Sequence, residues 1–147
     1  MRKIFGIAAA VALISGFAGG AHAADPVTVY CTTGKQTKGS PIPPDMIIQI
    51  VPGTGVAVVA DGLTQKVTGG SVSAKVTQDD DRQATFKWEV RGAKGRNARN
   101  ASLAFTGTLI KATNEIRLSV IPRGFDNRFT SRGQCEVRAD APKKRKK

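Results

Sequence analysis

The chain has 147 residues and a formal net charge of +12, with 23 lysines and arginines against 11 aspartates and glutamates. A leader over residues 1–23 takes Arg2, Lys3 and the single histidine, His22, with it, which leaves 124 residues, a charge of +10 and no histidine. That remainder can bury one core but not two, and it excludes a histidine general base, a His-ligated metal and His-ligated haem.

Residues 1–23 read as a secretory signal. Met1-Arg2-Lys3 is the charged start, Ile4 to Phe17 the apolar run, and Ala21-His22-Ala23 a small-x-small cleavage site. The run is short for a bilayer span, and no charged stop follows Ala18-Gly19-Gly20. Its alanine-rich character is bacterial, so the expected location is the periplasm or the medium. In an oxidising compartment Cys31 and Cys135 read as one disulfide. A reactive thiol is disfavoured, because there is neither a histidine to activate it nor a CxxC spacing.

Beyond the leader, helix signals are nearly absent and apolar residues recur with period two. Val27, Val29 and Cys31 open the pattern in a strand predicted over 27–33. Further strands are predicted over 46–52, 55–61 and 71–78, the first two joined by the turn Pro52-Gly53-Thr54-Gly55. Over 83–91 the alternation is clearest. Ala84, Phe86, Trp88 and Val90 face one way, and Thr85, Lys87, Glu89 and Arg91 the other. Leu103, Phe105, Gly107 and Leu109 mark 102–111, and Ile116, Leu118 and Val120 mark 115–121. Phe129, Ser131, Gly133, Cys135 and Val137 share a face in 129–138. Eight sequential strands with tight turns predict an all-β domain over 24–138, an eight-stranded antiparallel up-and-down barrel. A two-sheet β-sandwich is the alternative. Both cysteines fall on inward positions of the first and last strands.

In a meander, alternate connections lie at opposite ends. The long ones, over 34–45, 61–70, 91–101 and 122–128, therefore meet at one end. They carry Lys35, Lys38, Lys66, Arg91, Lys94, Arg96, Arg99, Arg123 and Arg128 against Asp45, Asp61 and Asp126. The opposite end holds Asp79-Asp80-Asp81 and Glu115. Residues 139–147, ending Lys-Lys-Arg-Lys-Lys, read as a disordered basic tail.

Catalytic constellations are poorly supplied. Serine chemistry lacks a base, apart from a Ser73–Lys75 pair on one strand face that is expected to point outward. Asp79 to Asp81 lack the spacing of a calcium loop and read as a solvated turn. No cofactor or metal is expected, and the chain reads as a non-enzyme. The segment from Arg91 to Asn100 is the most specific feature, with Arg91, Lys94, Arg96 and Arg99, two glycines and no acid. Arginine forks suit phosphate and carboxylate oxygens, so these four with Arg123 and Arg128 are the expected anion-binding residues. Phe125 either projects beside them as a contact or plugs the barrel mouth. The expected partner is an anionic ligand, a glycolipid or an acidic protein surface. Nucleic acid is less favoured, because aromatic residues for stacking are scarce.

A small exported eight-stranded barrel with one terminal disulfide resembles the periplasmic C-type lysozyme inhibitors. Ser71-Val72-Ser73-Ala74-Lys75 and Phe86-Lys87-Trp88 fall roughly where that family presents its two cleft-binding segments. The glycine and tyrosine of the first segment are absent, and no Lys-Gly follows Trp88 directly. The resemblance implies the barrel, and an inhibitory role for Ser71, Ser73 and Lys75. A +10 chain would, however, be repelled by a basic lysozyme at long range. Val29-Tyr30-Cys31 and Gly133-Gln134-Cys135 are also similar to the ends of small secreted bacterial proteins, a likeness that implies no activity.

Overall fold

The structure is a computed structural model that describes residues 25–94 and 100–139. The expected leader, the basic tail from Asp140 onward, and Arg96 and Arg99 lie outside the described residues.

Among the described residues eight strands build the sheet: β1 Val27–Thr33, β2 Asp45–Val51, β3 Val56–Asp61, β4 Val72–Asp79, β5 Gln83–Ala93, β6 Ala101–Ile110, β7 Glu115–Pro122 and β8 Phe129–Ala139. Each pairs antiparallel with the next, and β1 also pairs with β8, which closes the barrel. That last pairing excludes the sandwich. Cys31 and Cys135 stand directly opposite each other across it and form the disulfide, 104 residues apart in sequence.

The alternation sets the two faces. Inward residues of every strand build one core, in which Val29, Met46, Ile48, Val59, Phe86, Val90, Phe105, Ile116 and Val120 are almost wholly buried. Burying side chains of this size contributes about 1.5–3 kcal/mol each. Trp88 and Phe105 are register partners and stack at 5.0 Å between ring centroids. Gly107 makes room beside them. A Cβ there would stand 3.2 Å from Leu118 Cδ2 and 3.3 Å from Trp88 Cζ3. The interior is therefore filled by side chains. Outward positions carry Lys75, Lys87, Arg117, Arg132 and many hydroxyls, the reverse of the apolar outer band of a membrane-spanning barrel. No helix among the described residues is long and apolar enough to cross a membrane.

Four features differ from the sequence expectation. A seven-residue helix, α1 Gly62–Thr68, occupies the connection after β3, where a loop was expected. Asp61 caps it: Oδ1 accepts from the Leu63 and Thr64 amides at 2.8 Å, while Thr64 Oγ1 reaches back to the Asp61 amide at 2.9 Å. Gly69, at φ 79°, ends it in the left-handed conformation. Leu63 and Val67 lean on the core, and Ile42 from the first long loop is buried in it. These residues cover the mouth, and Phe125 does not plug it, being 55% exposed. Ser71 lies just before β4 rather than in it. Val137 has the inward parity but is exposed close to the end of β8.

The closing seam requires a glycine. At Gly133 a Cβ would collide with the carbonyl oxygen of Thr32 and lie 2.9 Å from Thr33 Cα, both backbone atoms of β1. At Gly34 a Cβ would meet only Arg132 O, at an ordinary 3.5 Å. Gly133→Ala should therefore lower the unfolding free energy by about 1–3 kcal/mol, the usual cost of overpacking. Gly34→Ala should change it little. Urea titration of both variants checks this, and equal stabilities would contradict the seam's intolerance of a side chain.

Candidate functional site

The parity of an up-and-down barrel brings the connections after β1, β3, β5 and β7 to one end. The first is strapped to the barrel: Thr33 Oγ1 donates to Pro43 O at 2.8 Å, and Gln36 Nε2 donates to Ser131 Oγ at 2.8 Å. The third leaves β5 through a bulge at Arg91/Ala93, where Gly92 has φ 87°. The extra residue turns Ala93 into the core and leaves Arg91 outside. Pro122 to Phe125 form a turn closed by the Phe125 amide on Pro122 O at 3.2 Å, with Gly124 at φ 84°.

Arg91, Lys94, Arg123 and Arg128 all lie exposed at this end. Two of them are already engaged. Glu89, on the outer face of β5, accepts Arg123 Nε at 2.9 Å and Arg91 Nη2 at 3.4 Å. These hydrogen bonds, that from Arg123 foremost, hold the Glu89 carboxyl below its ordinary value. Glu89 is thus a rim residue as well as an outward position of β5. The signal was there, since Glu89 and Arg91 are two apart on one strand face. Lys94 and Arg128 make no ion pair with another described residue. Asp61 is consumed by the helix cap; burial raises its carboxyl's pKa most, against the opposing pull of the Thr64 and Leu63 amides.

Ser73 and Lys75 do share the outer face of β4, with no hydrogen bond between them. They border a shallow groove of about 600 Å³ that Lys87, Glu89, Thr106 and Arg123 also line. Ser71 is exposed at its margin of the strand. At the opposite end Asp79 and Asp80 are engaged locally. Asp80 Oδ1 accepts the Arg82 and Gln83 amides at 2.8 and 2.9 Å, and Gln78 Nε2 donates to its Oδ2 at 2.7 Å. Asp79 pairs with Lys111 at 2.7 Å. The acidic run is thus a structured turn. Among the described residues no cluster of His, Cys, Asp or Glu could hold a metal ion.

Compared with protein-family models, curated proteins and solved structures, the chain matches none.

Glu89 acts as an internal competitor for any anion at the rim. Because its folded pKa lies below 4.5, its ion pairs are fully present above that ordinary value. They are lost only as pH falls through the lowered folded value. Glu89→Gln should release Arg91 and Arg123 at neutral pH and raise the salt concentration that elutes the protein from heparin. The wild type should show the same gain only in acid, below the ordinary carboxylate range. Elution of both proteins across a pH series checks this. Identical profiles would mean that Glu89 does not mask the two arginines.

Proposed function

We propose that this protein is an exported, non-enzymatic binding module whose basic long-loop end engages an anionic partner. The carrying observation is the convergence of four connections at one end, where Lys94 and Arg128 make no ion pair with another described residue and Arg91 and Arg123 share Glu89. The inward side chains Phe86, Trp88 and Phe105 are packed in the core, which supports a site on the outside. The partner class is phosphate or carboxylate on a small anionic ligand, a glycolipid head group or an acidic protein surface, which arginine forks suit. The Cys31–Cys135 disulfide is compatible with the oxidising compartment that the leader points to. Basic residues at one end also speed encounter with an anionic surface at low salt.

The test replaces Arg91, Lys94, Arg96 and Arg99 together by serine and follows retention on heparin and on anionic vesicles across a salt series. The quadruple variant should elute at clearly lower salt and lose vesicle binding. If it behaves as wild type while deletion of residues 140–147 abolishes retention, the tail alone explains binding and the rim reading fails.

A second reading is favoured by the groove beside Ser73 and Lys75, the residues that the lysozyme-inhibitor resemblance singles out. In that reading the wall enters a lysozyme cleft. Lytic assays of C-type lysozyme with the protein in large molar excess decide it. Undiminished lysis removes this reading and leaves the rim untouched.

A further inference from the structure

The outer wall over β4–β8 is built differently from the rim. Register sets two like-charged pairs directly opposite each other across neighbouring strands, Lys75 with Lys87 and Arg117 with Arg132. Like charges so placed destabilise a sheet. Arg117 is tied to Glu115 at 2.6 Å. Lys75, Lys87 and Arg132 make no ion pair with another described residue.

Thr106 on β6 lies between the two pairs, and Ser119 and Thr130 continue its row beside the arginines on β7 and β8. Lys87 faces Thr106, Thr106 faces Ser119, and Ser119 faces Thr130. In the next row Thr85 and Thr108 hydrogen-bond each other at 3.3 Å, whereas the hydroxyls of Thr106, Ser119 and Thr130 reach no other described residue. Two shallow grooves, of about 600 Å³ and about 640 Å³, meet at Thr106 and join the lysine pair to the arginine pair. The track crosses four strand spacings, about 19 Å along the wall.

We infer that this track binds an extended anionic polysaccharide chain. Its acidic groups sit at the lysine and arginine pairs, and its ring hydroxyls lie along Thr106, Ser119 and Thr130. An anion between two like cations turns their repulsion into attraction. Each Ser or Thr hydroxyl both donates and accepts, which suits a ligand whose middle is rich in hydroxyls. A single-stranded nucleic acid fits less well. Such sites add aromatic stacking to charge, and the rings of β5 and β6, Phe86, Trp88 and Phe105, are all turned into the core. The site lies on the wall and does not depend on the rim reading.

The test titrates heparin oligosaccharides, polyglutamate and oligothymidylate at fixed ionic strength. The proteins are wild type, Lys87→Ser/Arg132→Ser, and Thr106→Val/Ser119→Ala. The charge variant should bind heparin at least about tenfold more weakly, since charge-assisted hydrogen bonds are lost. The hydroxyl variant, of unchanged charge, should weaken heparin severalfold and leave polyglutamate unaffected. Thermal melting confirms folding; Thr130→Ala replaces the hydroxyl variant if that one loses its transition. The inference is overturned if the charge variant keeps wild-type heparin affinity, whatever the rim variant does. It is also overturned if the hydroxyl variant keeps that affinity and polyglutamate or oligothymidylate competes as well as heparin, because the wall is then a general polyanion surface.

Discussion

Closure of the sheet between β1 and β8 is the constraint from which the other features follow. An open eight-stranded meander would leave two edges with unpaired amides and carbonyls, and pairing the ends removes both. The cost is a close backbone approach, visible where Gly133 meets Thr32 and Thr33. The disulfide acts on the same seam. In the chain-entropy model, a closed loop of about a hundred residues removes roughly 4.7 kcal/mol of unfolded-state freedom. Its sulfurs are buried and its two residues are exact register neighbours, so seam and bridge support each other.

Closure also decides where function can be. With eight strands the interior is just wide enough for side chains, and here Phe86, Trp88 and Phe105 fill it. What the barrel offers to solvent is its two ends and its outer wall. The short-turn end spends its acids on its own geometry, through Asp80 on the Arg82 and Gln83 amides and Asp79 on Lys111. The long-loop end does so less completely. The wall itself is two-sided: β1 and β2 present Tyr30 and Ile47, which are register partners and exposed, while β4 to β8 present cations and hydroxyls.

Most of the barrel was legible because one face of every strand is apolar, and period two then fixes both strand and facing. Val29, Phe86, Phe105 and Ile116 show this directly. Helix α1 escaped because seven residues are too few for a helical period to stand out. Its signals were the Asp61 cap, Thr64 three residues later and Gly69 after the last turn. The rim was legible as composition but not as pairing. That Glu89 grips Arg123 depends on β5 and the end of β7 lying near each other, across 34 residues of sequence. The opposition of Lys75 to Lys87 was hidden for a similar reason. A register irregularity between Val76 and Gln78 resets the β4–β5 pairing, and no local pattern announces it.

The placement of the acids on the wall argues against a merely solubilising charge. Glu89 holds Arg91 and Arg123 at the rim side of the cationic area, and Glu115 holds Arg117, one member of the arginine pair. Lys87 and Arg132 make no ion pair with another described residue although each faces a like charge, and Arg132 adds only to the pull that lowers the Glu115 carboxyl. A surface selected only for solubility would intersperse its signs and avoid opposed cations. The lysines and arginines of this wall follow the two grooves as a strip. A strip suits an elongated anion better than a point ligand. Arg123 lines the groove at one margin and also belongs to the basic rim. Because Glu89 is shared between Arg123 and Arg91, protonating or displacing that one carboxylate changes the charge available to rim and wall together.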